Sequence, residues 1–168
     1  KMGRPAATQV NRLAVLNSTF GMAAVGTAAG ATNIWKWNGS EWSTVPTPSA
    51  AFYAVDLLNA TYGWAGGTLG NIAFWNGTNW TTVTSPTSAL INSIDTYNST
   101  LAFGVTNNGQ VIRYNGVSWA NDTKPLATSL SRVRFLNSSR ALVINAVVGQ
   151  DSYTWTGGAP GSWLLSNR

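Results

Sequence analysis

The chain has no cysteine and no histidine, and its 168 residues carry only ten basic and five acidic side chains. Without cysteine there is no disulfide frame and no thiol chemistry. Without histidine, the side chain that titrates nearest neutrality and most often holds a metal is missing. The acids are Glu41, Asp56, Asp95, Asp122 and Asp151. That set is too small for a carboxylate metal cluster, and a nucleophilic triad lacks its base. We therefore expect no cofactor, no metal site and no catalysis. No run of 18 apolar residues exists, so no membrane-spanning helix is expected. The basic residues are scattered, with only Arg132, Arg134 and Arg140 close together. The stripe that would neutralise successive phosphates is absent, and nucleic acid is not an expected partner.

Neutral polar groups take the place of charge. Charged residues make up 9% of the chain, against the usual level of about 25%. In their stead stand 17 Asn, 20 Thr and 16 Ser. Such a surface responds little to salt or pH. Apolar residues, at 44%, suffice for the core of one domain, residues 1–168. The first residue is Lys1, which suggests either a removed signal segment or a piece of a longer protein.

Aromatic-Asn-Gly-x-x-Trp recurs as WNGSEW from Trp37, WNGTNW from Trp75 and YNGVSW from Tyr114, with a stretched copy, WTGGAPGSW, from Trp155. A second mark keeps step with it: VLNSTFG, LLNATYG, TYNSTLA and FLNSSRA, centred on Asn17, Asn59, Asn98 and Asn137. The period is close to 40 residues, and the repeats run over about 10–48, 49–88, 89–127 and 128–168. Each holds four short segments rich in aromatic and β-branched residues, bounded by Gly, Asn, Pro or Ser, and reads as four strands. Asn-Gly between the third and fourth predicts a type I′ hairpin turn. Four strands at this period predict an all-β fold, a β-propeller of four four-stranded blades. The small residues of each second segment (MAAVG, WAGG) suit a crowded place near the axis, and the Trp pairs suit the wide outer wedge between blades. Closure within one chain is the favoured reading, and the alternative is that the blades continue into another chain.

These motifs resemble the Gly-Trp-Ala-Val-Gly and Trp-Asn-Gly-x-x-Trp repeats of secreted bacterial and archaeal propeller proteins. More distantly they are similar to sialidase-type and photosystem-assembly-factor propellers. The residues that carry the likeness are Phe20–Gly26, Gly63-Trp64-Ala65-Gly66 and the three aromatic-Asn-Gly-x-x-Trp turns. The resemblance implies an architecture only, because such families include lectins, enzymes and inert scaffolds. The Ser-x-Asp-x-Gly turn of sialidases is missing.

Candidate sites are of three kinds. Asp56 and Asp95 share one repeat position; as a pair they suit a glycosidase, but inter-blade hydrogen bonding or an Asp–Arg pair near the axis accounts for them more simply. Trp35 and Trp64, with Phe74 and Phe103, fall outside the repeated aromatic set, which leaves Trp35 and Trp64 as possible ligand contacts of a lectin-like site. N-x-[Ser/Thr] occurs at Asn17, Asn38, Asn59, Asn76, Asn79, Asn98, Asn121 and Asn137, about twice as often as the composition would scatter it. Asx-turns explain part of this excess. Seven of the eight fall in or beside the loops that join strands one and two or three and four, which share one face of a propeller. The expected function is a non-catalytic, glycosylated extracellular structural subunit of a surface layer, filament or virion, with self-association or other surface proteins as partners. A carbohydrate-binding module is the alternative.

Overall fold

The computed structural model describes residues 8–27, 32–48, 51–122, 128–145, 152–158 and 161–166. It contains sixteen strands in four antiparallel sheets, each a simple meander of four. The first blade is β1 (Thr8–Asn17), β2 (Phe20–Thr27), β3 (Thr32–Trp37) and β4 (Trp42–Val45). The second is β5 (Phe52–Asn59), β6 (Tyr62–Gly67), β7 (Ile72–Trp75) and β8 (Trp80–Val83). The third is β9 (Ile91–Asn98), β10 (Leu101–Thr106), β11 (Val111–Tyr114) and β12 (Trp119–Asp122). The fourth is β13 (Leu130–Asn137), β14 (Arg140–Asn145), β15 (Ser152–Trp155) and β16 (Trp163–Ser166). A single turn of 3-10 helix, Thr68–Gly70, links β6 to β7.

The first strand of each blade lies innermost. β1 packs on β5, β5 on β9 and β9 on β13, and residues from all four line one axial cavity. This corrects the expectation that the Ala- and Gly-rich second strands sit at the axis. Those strands lie one place further out, and their small residues answer a different need: the next blade presses flat against them. A Cβ on Gly66 would fall 2.6 Å from Ile91 Cγ2 and 2.9 Å from Ile94 Cδ1 of the following blade.

Strand alternation gives each blade two faces. The forward face meets the following blade and the backward face meets the preceding one. On the forward face the middle of the second strand carries Met22, Trp64, Phe103 and Leu142, in equivalent registers. Met22, Trp64 and Phe103 are buried against the backward face of the next blade. That face is built from the inner strand (Val55 and Leu57, Ile94, Val133 and Phe135) and from the repeated Trp of the outer two strands. Trp75 and Trp80 close the first interface, Trp119 with Tyr114 the second, and Trp155 with Trp163 the third. Trp64 touches Tyr114 and Trp119 at ring-centroid distances of 4.8 and 5.2 Å. Phe103 meets Trp155 at 5.1 Å and Trp163 at 5.3 Å. These are edge and tilted contacts of the kind that adds to plain burial.

The Asn-Gly loops differ from the expected type I′ turn. Trp37 pairs with Trp42 and Trp75 with Trp80, so four residues, not two, span each hairpin. Gly39, Gly77 and Gly116 take φ of 100°, 99° and 94°, while the Asn before each keeps an ordinary backbone. The Asn contributes its side chain instead. Oδ1 of Asn38, Asn76 and Asn115 accepts the N–H groups two and three residues on, at 2.9–3.0 Å.

Gly66→Val should force β9 away from β6 and cost about 1–3 kcal/mol, as overpacking does. Urea unfolding of the variant checks it, and an unchanged midpoint would contradict the flat contact described above.

Candidate functional site

The axis is where charge collects in a chain that has little of it. Arg12 (β1), Asp56 (β5), Ser93 and Asp95 (β9), and Arg132 and Arg134 (β13) line the axial cavity. Its mouth, a depression of about 290 Å³, is bordered by Asp56, Leu57, Asp95, Thr96, Tyr97, Arg134 and Phe135. It opens at the strand ends that lead into Asn59, Asn98 and Asn137, and so towards the turn-bearing face.

The structure brings Asp56 and Asp95 together and gives both a structural task. Asp56 Oδ2 accepts the N–H of Thr96 at 2.7 Å, and Asp95 Oδ2 accepts the N–H of Phe135 at 2.5 Å. Donor and acceptor lie one repeat apart, so each carboxylate latches its inner strand to the next. Ala14 and Arg134 hold the same register in the first and fourth blades, and neither can accept such a bond. Arg134 Nη1 instead donates back to Asp95 Oδ1 at 3.2 Å. Further inter-blade bonds run from Asn92 Nδ2 to Leu130 O (2.7 Å), from Tyr62 Oη to Ser99 O (3.0 Å), and from the Gly161 N–H to Asp122 Oδ1. Arg12 crosses the axis to Ser131 O at 3.0 Å and Asn92 O at 3.5 Å.

Burial sets the protonation of this cluster. The Asp95 carboxyl is pushed up to about 6, first because it is withdrawn from water and then because Asp56 stands beside it. The Phe135 N–H and Arg134 oppose that shift, but the Arg134 side chain is 72% exposed, so water screens its charge. Asp56 is also raised, again by burial, against the opposing bond from Thr96. Burial, and after it the charge of Arg132, lowers Arg12. Two raised carboxyls beside arginines could bind a small anion or exchange a proton. Their lone pairs, however, are engaged by backbone N–H groups, which fixes their geometry to the fold.

The aromatic candidates separate. Trp64 and Phe103 are buried inside interfaces and offer no face to a ligand, while Phe74 and Trp35 are half-buried. All eight sequon asparagines are exposed. At Asn17, Asn59, Asn98 and Asn137, Oδ1 accepts both the backbone N–H and the hydroxyl of the residue two further on, at 2.8–3.1 Å. The turn between the first two strands thus uses the Ser or Thr hydroxyl as well as the Asn, which goes beyond the Asx-turn expected from the sequence. Asn38 makes the same pair of bonds with Ser40. Asn121 differs, since its Nδ2 donates to Pro86 O at 3.1 Å. The two kinds of turn do share a face: Gly39, Gly77, Gly116 and Gly157 lie against Thr19, Thr61, Thr100 and Ser139. Trp37 and Trp75 also donate their indole N–H to Ser18 O and Ala60 O in the first-second turns. The sequon-free segments expected on the opposite face fall in part on residues 28–31, 49–50 and 146–151, which lie outside the described residues.

No protein-family model matches the sequence, and no curated protein matches it either. Solved structures do. A structure titled YCF48 bound to D1 peptide superposes with a TM-score of 0.66 at 15% identity, covering 81% of this chain and 48% of that one. YCF48 from Cyanidioschyzon merolae gives 0.63 at 18% identity, over 86% and 50%. The computationally designed Ika4 protein gives 0.72 at 11% identity, over 94% and 96%. The chain is a four-blade β-propeller. It spans about half the length of the YCF48 structures it matches.

The raised Asp95 pKa has a definite consequence for stability. The folded state holds this proton more tightly than the unfolded chain, whose aspartates titrate near 3.9. The contribution is therefore complete below about pH 4 and is lost as pH rises through about 6. The thermal midpoint should fall from pH 4 to pH 7, and Asp95→Asn should flatten that fall. A midpoint that rises over this window, or a fall that Asp95→Asn leaves intact, would contradict the assignment.

Proposed function

We propose that this propeller is a non-catalytic, glycosylated extracellular protein, a structural subunit of a surface layer, filament or virion, built on the Trp-rich repeat of secreted propeller proteins. One observation carries the reading: seven exposed Asn-x-Ser/Thr sites crowd one end of the ring. At the four first-second turns the amide oxygen serves the turn, which leaves the nitrogen, the atom a glycan would occupy, out of the turn's bonding. The near absence of charge favours durability over chemistry. The latching roles of Asp56 and Asp95 support a non-catalytic axis. YCF48 has been seen with a bound peptide, and a protein partner is a reasonable use for the same fold here.

The carbohydrate-binding alternative rests on Trp35 alone once Trp64 is inside an interface, and for that reason we place it second. The intact mass of natively sourced protein separates the two. It should exceed 17.8 kDa in hexose-sized steps. Asn98→Asp, which keeps the oxygen for the turn, should remove one glycan while leaving the unfolding midpoint nearly unchanged. An unmodified native mass would contradict the glycosylated reading.

A further inference from the structure

Among the described residues, three interfaces join the four blades, which leaves one forward face and one backward face over. Their exposure shows that they do not cover each other. Leu142 of β14 stands where Met22, Trp64 and Phe103 stand in the other blades, yet it is only half-buried, and Ile144 beside it is 42% exposed. On the backward face of the first blade, Val10, Leu13 and Val15 are 56%, 55% and 58% exposed. The register equivalents of Val10, namely Phe52, Ile91 and Leu130, are fully buried, and those of Leu13, namely Val55, Ile94 and Val133, are at most 5% exposed. Trp37 and Trp42 are half-buried, whereas Trp75, Trp80, Trp119, Trp155 and Trp163 are all buried. Among the described residues, an apolar core fills each of the three interfaces between consecutive blades and none joins the fourth blade to the first. Arg12 spans that gap at the axis only.

We propose that a second copy of this chain fills the gap, seating the forward face of its fourth blade on the backward face of the first blade here. Leu142 and Ile144 of the second copy enter the socket formed by Val10, Leu13, Val15, Trp37 and Trp42. The occupant follows from the chain itself. Both halves of a fourth interface are present, in the registers that make the other three, and a second copy supplies the missing half with no new chemistry. The socket residues Val10, Leu13, Val15, Trp37 and Trp42 are uncharged, and Arg12 of the same strand is engaged at the axis by Ser131 O. The exchange is reciprocal: each copy gives one blade face and takes one, which closes two open arcs about a two-fold axis. Exposed apolar area of this kind marks an association surface. The inference deepens the assembly role proposed above by naming its contact surfaces. It does not depend on glycans, which native mass reports separately.

Light scattering of the full chain over a dilution series tests it, with wild type, Leu13→Asp, Leu142→Asp and a mixture of the two variants. Wild type should show twice the 17.8 kDa chain mass, or longer head-to-tail multiples, dissociating on dilution. Each variant alone should be a monomer with wild-type circular dichroism. Their mixture should recover a dimer, because one of the two seams is then wild type on both sides. Wild type that stays monomeric throughout, variants that assemble as wild type does, or a mixture that stays monomeric would each overturn the proposal. Seam closure within one chain predicts monomers everywhere, and no recovery on mixing.

Discussion

The structure depends on one repeated contact, a large apolar side chain on the second strand of one blade entering the aromatic socket of the next. A four-stranded meander with apolar residues on both faces cannot bury them by itself and must pack against another layer. Each blade is stable only because its neighbour supplies the missing layer. Met22, Trp64 and Phe103 fill that role with very different shapes, so the socket adapts: Trp75 and Trp80 face a thioether, Tyr114 and Trp119 an indole, Trp155 and Trp163 a phenyl ring. Gly and Ala on the receiving strands let the sheets approach, and their smallness follows from the size of what they receive.

Polar groups do the complementary work of fixing register. Asp56 and Asp95 tie consecutive inner strands through backbone N–H groups, and asparagine oxygens hold the hairpins. A chain with so few charges spends two of its five acids on these latches. The cost is visible in the raised Asp95 carboxyl, which burial and a neighbouring carboxylate both disfavour as an anion.

Much of this was legible in the sequence, and for a physical reason. Two marks that keep step at a period near 40 report the repeat directly, and short aromatic-rich segments between turn residues report the strands. What pairwise spacing cannot report is the third dimension. Small residues read as a mark of the axis proved to be a mark of close sheet packing, because both produce the same composition. Trp64 looked available since it broke the repeated pattern, but it breaks the pattern by being the plug of its interface. At Asn17, Asn59, Asn98 and Asn137 the turn uses both the Asn oxygen and the hydroxyl two residues on, a structural role that spacing alone does not show. The sequence left open whether the ring closes within one chain, because the first and fourth blades carry the same pattern as the blades whose faces are paired; the exposure of Leu13 and Ile144 is what distinguishes them.

The central claim is that equivalent positions are unequal because, among the described residues, an apolar core fills three interfaces between consecutive blades and none joins the fourth blade to the first. The comparison of Trp37 with Trp75 tests it most directly. Both close the same hairpin position and both donate an indole N–H to the adjoining turn, at 2.8 and 2.9 Å, so the neighbouring blade is what differs. In denaturant unfolding of the dilute chain, Trp75→Ala should cost about 3–5 kcal/mol, as loss of a buried aromatic does. Trp37→Ala should cost well under half as much. Equal losses would mean that the first blade is covered after all, and would contradict the account.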